Sequence, residues 1–289
     1  MKKTERVRKQ DKALPEGEPR NIARIIEVLD VLAKASSRGL RLTDVAETTG
    51  MGKSTTHRIL SGMAAGGLVA HDAETSRFFV GLKMLAWANA ARERFAFARF
   101  AEPAIDRLAQ QTQDTVYLVA RTGDEIVCLD SREGSFPIKV LTLNVGDRRP
   151  LGIGAGSLAI LSALPDEEVE RILAAQVEAR SRFQIDDIQL RNLIVATRRT
   201  GYAYNSIHVL PGFENATGMG GIGIPVRRSD GMPVAALHVT AVTARLKPPR
   251  RDIVVASMRQ EAALLETQLR ALLDAAGSAE RLRTASASA

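Results

Sequence analysis

Between Leu42 and Val69 two short runs of helical periodicity are separated by a glycine, and no other stretch limits the fold so tightly. In the first run Thr43 is placed as the cap, Val45 and Ala46 face inward, and Gly50 ends the helix. The second starts at Gly52-Lys53-Ser54 and runs to about Ala65, with Thr56, Ile59, Leu60 and Met63 on one face, and Gly66-Gly67 breaks it. Ala46 is small where the two helices must cross closely, and Gly50 supplies the tight turn between them.

The flanks complete a recognisable unit. A helix is expected after Asn21, with Ile22, Ile25, Ile26, Leu29 and Leu32 at three- and four-residue spacing, stopping near Ser36-Ser37-Arg38-Gly39. Leu68–Ala70 and Arg77–Val80 read as two strands around the polar turn 71–76. Helix, helix, glycine, helix and a two-stranded wing is the winged helix-turn-helix pattern, whose second helix lies in the DNA major groove with its N-terminal side chains at base edges. If Thr56, Ile59, Leu60 and Met63 point inward, about 100° per residue turns Ser54, His57, Arg58 and Ser61 outward. Lys53 is placed to reach the backbone and Arg77 to meet a phosphate or the minor groove; Thr43 and Thr55 complete the candidate DNA contacts. For each of these the alternative is an ordinary solvated polar position.

The charge distribution points the same way. Residues 1–100 hold 18 Lys and Arg against 11 Asp and Glu, whereas residues 101–289 hold 22 of each, so the whole net charge of +7 lies in the first third. A basic segment beside a neutral one suggests a polyanion-binding module joined to a module with another task, the alternative being a solvated basic tail. Residues 1–20 are expected to be a disordered basic arm. With no run near the ~18 apolar residues of a membrane span and no apolar region behind the polar N-terminus, the expectation is a cytoplasmic protein without membrane contact. The single Cys128 permits no internal disulfide, and four scattered histidines offer no zinc cage, so neither metal nor cofactor is expected.

The remainder alternates strand and helix signals. A helical, Ala-rich pattern covers Leu82 to about Gln111, expected to break near Pro103. Strands follow at Thr115–Ala120, Glu125–Asp130 and Ile138–Leu143, with helices near 155–163, 166–175 and 187–200. Gly201–Tyr204, Met219–Val226 and Val234–Val242 return to strand, before a long amphipathic helix over 251–274. Antiparallel strand pairs with helices between them predict an α+β fold with a mainly antiparallel sheet behind a mostly α N-terminal domain. The expected division is the winged domain at 21–81, a linker helix at 82–100, a second domain at 101–276 and a flexible tail at 277–289.

The run LTDVAETTGMGKSTTHRILSGMAAGGLV, preceded by RNIARIIEVLDVLAKASSRGL and followed by FFVG, closely resembles the winged helix-turn-helix of the IclR-type bacterial transcription regulators. Their K-S-T-x-H-R-hydrophobic-L hallmark stands here as Lys53 to Leu60, and the wing end matches Phe78-Phe79-Val80-Gly81. The likeness continues over residues 21–275 through TVYLVARTGDEIVCLD, the G-D-R-x-P-L segment at 146–151, the Ala155-Gly156 loop and VAALHVTAVTARL. It implies a GAF-like effector-binding domain from about residue 100, a homodimer or tetramer, operator DNA as partner and a small organic acid as effector.

Leu151-Gly152-Ile153-Gly154-Ala155-Gly156-Ser157 suits an acid by its own chemistry, because unshielded peptide N–H groups at a helix N-terminus favour a carboxylate. A dinucleotide fingerprint fits poorly, since the spacing is not G-x-G-x-x-G; a glycine-rich turn serving only close packing is the other alternative. Carried over by position, the resemblance assigns the effector to Gly154, Ala155 and Gly156, with Leu143 and Leu151 as apolar wall. Glu214, Gly221, His238 and Thr240 come from the later segments. About six extra residues between Tyr204 and Glu214 leave the family's acidic position on Asn205 or Pro211. His238 is larger than the usual occupant: it either narrows the site, donates to an anionic ligand, or is a satisfied core residue. Two other functions compete with an acid-responsive regulator. One is a small-molecule enzyme using the loop at 152–157, although Ser157, His208, His238 and Cys128 form no recognisable triad order. The other is a structural DNA-binding protein whose second half only oligomerises.

Overall fold

The computed structural model describes residues 20–94, 96–183, 185–205 and 218–286, and the chain divides into two compact units, Met1–Arg94 and Phe95–Ala289. The expected arm at 1–20 therefore lies almost wholly outside the described residues.

The first unit begins with α1 (Arg20–Ala35), β1 (Leu40–Arg41), α2 (Leu42–Thr49) and α3 (Lys53–Ala65). It continues with β2 (Val69–Asp72), β3 (Arg77–Val80) and α4 (Lys83–Arg94). Its antiparallel sheet has the order β1-β3-β2, so the wing gains a third, short strand. Val28 and Leu32 of α1, Val45 of α2, Leu60 and Met63 of α3, and Val69 and Phe78 of the wing form one buried cluster. Thr56 is fully buried, as the helical period requires, and its hydroxyl donates to the Gly52 carbonyl at 3.2 Å. The expected cap of α2 is corrected by two residues. Arg41 is the capping residue, its N–H donating to Asp44 Oδ2 at 3.0 Å, and Thr43 lies inside the helix, exposed. Gly81 closes the wing: its N–H donates to the Leu68 carbonyl at 2.8 Å, and a Cβ there would stand 2.2 Å from the Gly67 carbonyl oxygen. No other residue fits that approach.

The second unit contains α5 (Ala96–Thr112), β4 (Thr115–Thr122), β5 (Glu125–Arg132), β6 (Arg148–Pro150) and α6 (Ala155–Ser162). It continues with α7 (Asp166–Ala175), α8 (Val177–Ser181), α9 (Asp187–Thr200), β7 (Ala203–Asn205), β8 (Met219–Arg227), β9 (Pro233–Val242) and α10 (Arg250–Ser286). Six strands pair antiparallel throughout in the order β6-β5-β4-β9-β8-β7, the α+β arrangement the alternating signals predict. Strand alternation sorts the side chains onto two faces. Val116, Leu118, Ile222, Ile224, Leu237 and Val239 pack beneath α5 and α10. Tyr117, Val119, Ala236 and the residues of α6, α7 and α9 form a second core on the opposite, inner face. Across the first of these layers Arg107 of α5 grips Glu261 of α10 in a two-point ion pair at 2.8 and 2.7 Å.

Three sequence expectations are corrected. Pro103 does not break a helix but sits inside α5, exposed, where water can satisfy the carbonyl that loses its N–H partner. The last helix extends beyond 274 to Ser286. Ile138–Leu143 is not a strand but an extended crossing segment bonded through side chains. The Val140 carbonyl accepts from Thr240 Oγ1 at 2.8 Å and from the Tyr117 hydroxyl at 3.4 Å, and the Thr142 N–H donates to that hydroxyl at 3.0 Å. Those backbone groups are unavailable to a neighbouring strand.

α6 is buried along all eight residues and rests directly on β8. A Cβ on Gly223 would fall 2.1 Å from the Ala155 carbonyl oxygen, an approach that only glycine allows. Gly223→Ala is therefore expected to displace α6 and destabilise the second unit by about 1–3 kcal/mol, the usual cost of overpacking. Urea unfolding followed by circular dichroism measures it, and a midpoint equal to wild type would contradict this account of the packing.

Candidate functional site

On α3 the inward row leaves a polar outward face. Lys53, Ser54, His57, Arg58 and Ser61 are exposed and Thr55 is half-buried. Residues 54, 57, 58 and 61 are three, one and three apart, so they share one side of the helix. Arg77 follows the wing turn and is half-buried; its Nη1 donates to the carbonyls of Arg38 and Gly39 at 3.1 and 2.9 Å, which ties β3 to the segment after α1. One of its amino groups is thus engaged within the unit. The wing turn is itself ordered by Asp72, whose Oδ1 accepts from the Glu74 N–H at 2.9 Å and whose Oδ2 accepts from the Thr75 hydroxyl at 2.7 Å.

The second candidate lies on the inner face of the large sheet, where α6 begins. Cross-strand register aligns two rows. Tyr117, His238 and Gly223 form one, and Thr115, Thr240, Gly221 and Asn205 form the next. Gly154 precedes α6 with φ +85°, and the Gly154–Gly156 backbone lies against the His238 ring. A Cβ on Gly156 would meet His238 Cβ at 2.9 Å, one on Gly221 would meet His238 Nε2 at 2.6 Å, and one on Gly154 would lie 3.9 Å from His238 Cε1. The structure brings together Gly154, Ala155, Gly156, Gly221, His238 and Thr240 from the expected set, with Leu143 and Leu151 buried in the same cluster and Asn205 opposite Gly221. Glu214 and Pro211 lie outside the described residues.

Sequence reasoning missed the polar partners of this face. Arg148 and Arg149 alternate along β6: Arg148 faces out to Glu125, its Nε 2.8 Å from Oε2. Arg149 turns in, its Nη2 donating to the Thr142 carbonyl and its Nη1 lying 3.9 Å from a Cβ placed on Gly154. Burial pushes its guanidinium below the usual arginine range, against a partial opposing pull from Asp147. Tyr117 is fully buried, its ring 5.7 Å from that of His238, and burial raises its phenol. His238 is 2% exposed, and burial, reinforced by the Arg149 charge, lowers its imidazole to about 3, so it is neutral near pH 7. His238 Nε2 and the hydroxyls of Thr115 and Thr142 are buried without a hydrogen-bond partner among the described residues. That arrangement can hold a small polar or anionic group; it offers little to covalent catalysis. Burial pushes the Cys128 thiol up to about 12, and the Ser157 hydroxyl is engaged by the Gly152 N–H at 2.9 Å and the Pro150 carbonyl at 3.1 Å. Among the described residues no group of side chains is suited to holding a metal ion, and no helix is long and apolar enough to cross a membrane.

Two family models match the chain: an IclR helix-turn-helix domain over residues 22–73, and the C-terminal domain of bacterial transcriptional regulator IclR over residues 90–266. Among curated proteins the chain is 26% identical over 225 residues to the HTH-type transcriptional regulator KipR of Bacillus subtilis, covering 77% of this chain and 87% of that protein. It is 28% identical over 247 residues to BhcR of Paracoccus denitrificans, covering 83% and 85%. Among solved structures, IclR of Thermotoga maritima aligns with TM-score 0.68 at 21% identity, covering 86% of this chain and 98% of that one. An IclR homolog from Microbacterium hydrocarbonoxydans, complexed with 4-hydroxybenzoate, aligns with TM-score 0.68 at 22% identity, covering 87% and 99%.

The neutral His238 has a consequence for stability. Its folded pKa lies below the unfolded value near 6.5, so between about 6.5 and about 3 the unfolded chain binds a proton that the folded chain refuses. The folded state therefore loses stability as pH falls through that window, by up to about 1.4 kcal/mol per pH unit from this group alone. Carboxylates held low by arginines, Asp124 beside Arg171 among them, add a loss of the same sign at lower pH. A His238→Gln variant is expected to show a shallower decline of unfolding free energy between pH 6.5 and 4.5 than wild type. Parallel slopes in urea titrations would show that His238 is not buried in neutral form.

Proposed function

The chain belongs to the IclR-type bacterial transcriptional regulators, and from that membership we propose that it is a sequence-specific DNA-binding protein whose operator affinity answers to a small carboxylic acid. Regulators of this family bind operator DNA and small-molecule effectors through a helix-turn-helix and a C-terminal effector-binding domain. The observation that carries the residue-level reading is the division of α3, with Thr56, Leu60 and Met63 buried and Ser54, His57, Arg58 and Ser61 exposed. Under this reading those four side chains face base edges, Lys53 and Thr55 meet the phosphate backbone at the start of the helix, and Thr43 does so from α2. Arg77 adds a wing contact with the part of its guanidinium not engaged by the Arg38 and Gly39 carbonyls. Residues 21–81 form the DNA-binding domain, 82–100 the linker helix and 101–276 the effector-binding domain, in a homodimer or tetramer without enzymatic activity.

The acid binds on the inner face, at Gly154, Ala155 and Gly156, with Leu143 and Leu151 as wall and Asn205, Glu214, Gly221, His238 and Thr240 around it. The ligand class is a small carboxylic acid, aromatic or aliphatic, and the solved relative complexed with 4-hydroxybenzoate supports its aromatic member. Regulation requires the acid to bind one state of the protein more tightly than the other. A difference of about 1–3 kcal/mol changes operator affinity about 5–150-fold.

The test is a fluorescence-anisotropy titration on the DNA adjoining the gene, against scrambled DNA of equal length at fixed salt, repeated with pyruvate, benzoate and 4-hydroxybenzoate. Arg58→Ala is expected to weaken specific binding by about 1–3 kcal/mol, and wild-type affinity in that variant would overturn the assignment of α3. Gly156→Asp, which adds a charge and a clash with His238, should leave DNA binding intact and abolish the response to acid. A normal response in that variant would make the loop structural.

A further inference from the structure

We propose that Arg149 is the counter-ion that reads the charge of the ligand, holding a carboxylate at the Gly154–Gly156 turn with His238 Nε2 as the second side-chain donor. This rests on the reading of the inner face as the effector site and names the residue that makes the site selective for an acid over its neutral analogues.

Three observations converge. First, Arg149 is an inward arginine without an ionic partner: Arg148 pairs with Glu125, whereas no carboxylate among the described residues lies within 4.0 Å of the Arg149 guanidinium. Asp147, two residues away, is engaged by the Asn144 N–H at 2.8 Å. Arginine does not discharge in proteins, so the cost of its partial burial, offset in part by the Thr142 carbonyl and by Asp147, is further relieved by an anion brought to it. Second, His238 Nε2 is buried with no partner, and its ring lies on the same turn as the guanidinium: Arg149 Nη1 and His238 Cε1 are each 3.9 Å from one point, the Cβ position of Gly154. Third, that point immediately precedes the first residue of α6, an eight-residue helix whose first peptide N–H groups have no partner within the helix and whose dipole favours negative charge. A guanidinium, an unpartnered imidazole nitrogen and a helix N-terminus gathered around one turn form a receptor for a single carboxylate. Arg149 is not merely a tie for the crossing segment, since its bond to the Thr142 carbonyl uses Nη2 alone and leaves Nη1 directed at the turn.

Isothermal titration of the full chain with benzoate against benzamide, and pyruvate against pyruvamide, tests this. Wild type is expected to bind at least one acid about tenfold or more tightly than its amide, as a charge-assisted hydrogen bond implies. In Arg149→Gln, which removes the charge and leaves a shorter amide side chain, that preference should fall to about twofold or less, with operator binding in the absence of acid unchanged. Arg149→Lys should keep most of it, and this variant carries the test should the glutamine variant fold poorly: loss of the preference in a folded lysine variant would overturn charge reading. If wild type prefers neither acid over its amide, the carboxylate reading of the site falls, and Arg149 with it. If the preference is present and persists in folded Arg149→Gln, the reading stands and Arg149 is not the counter-ion.

Discussion

The second unit depends on what β8 lacks. At Gly221 and Gly223 the strand presents bare backbone to the inner face, while Ile222 and Ile224 face the opposite core. The missing Cβ atoms let α6 descend until the Ala155 carbonyl stands where a Gly223 side chain would be, and they let the His238 ring lie over Gly221. α6 can be buried on every side because its residues, AGSLAILS, are small or apolar all round. Each consequence bears on the site. A helix this deep carries its N-terminus into the interior, where water does not compete freely for its peptide N–H groups.

The same face then carries an unusual load of polar atoms for a protein core. Tyr117 and Thr240 spend their hydroxyls on Val140, and so lock the crossing segment over the sheet. Thr115 Oγ1, Thr142 Oγ1 and His238 Nε2 are left without partners among the described residues. Each such atom typically costs about 1–3 kcal/mol, more than a fold of ordinary stability tolerates in number without a reason. A core shaped for packing alone would place Val and Leu at these positions, as the opposite face of the same strands does. Local rules broken together in one place support the proposed binding role of this face more strongly than any one of the residues would.

How far these features were legible in the sequence follows from the kind of signal each leaves. The helix pair was plain, because Thr56, Leu60 and Met63 repeat at helical spacing between glycines, and burial follows that spacing residue by residue. The hairpins β4–β5 and β8–β9 were equally plain from turn residues between alternating runs. Ile138–Leu143 has strand composition but no strand, since its partners are side chains a hundred residues distant in the chain for Thr240, and no local pattern encodes those. The inward turn of Arg149 was hidden for a related reason: β6 is three residues long, too short for a period of two to show, so Arg148 and Arg149 read alike as surface charge. His238 was visible as a histidine in an apolar strand, but whether its ring was satisfied depended on neighbours from β4, β8 and α6. Pro103 shows the converse, a strong local signal overruled because its side of α5 faces solvent.

The two units place charge in physically different settings, and this decides what each can contribute. Lys53 and Arg58 are exposed, so their attraction for phosphate is screened by salt and falls off within roughly 8–10 Å at physiological ionic strength. Such contacts accumulate affinity through number. On the inner face Arg149 is half-buried and has no carboxylate within 4.0 Å among the described residues, and where less water surrounds a charge a single anion changes the local energy more than it does at an exposed surface. A regulator needs its ligand to discriminate between two states by only about 1–3 kcal/mol. That is the size of one hydrogen bond to a charged group. Under the proposed reading, one half-buried charge better satisfied in one state than in the other is of the size needed to govern an interface assembled from many exposed ones.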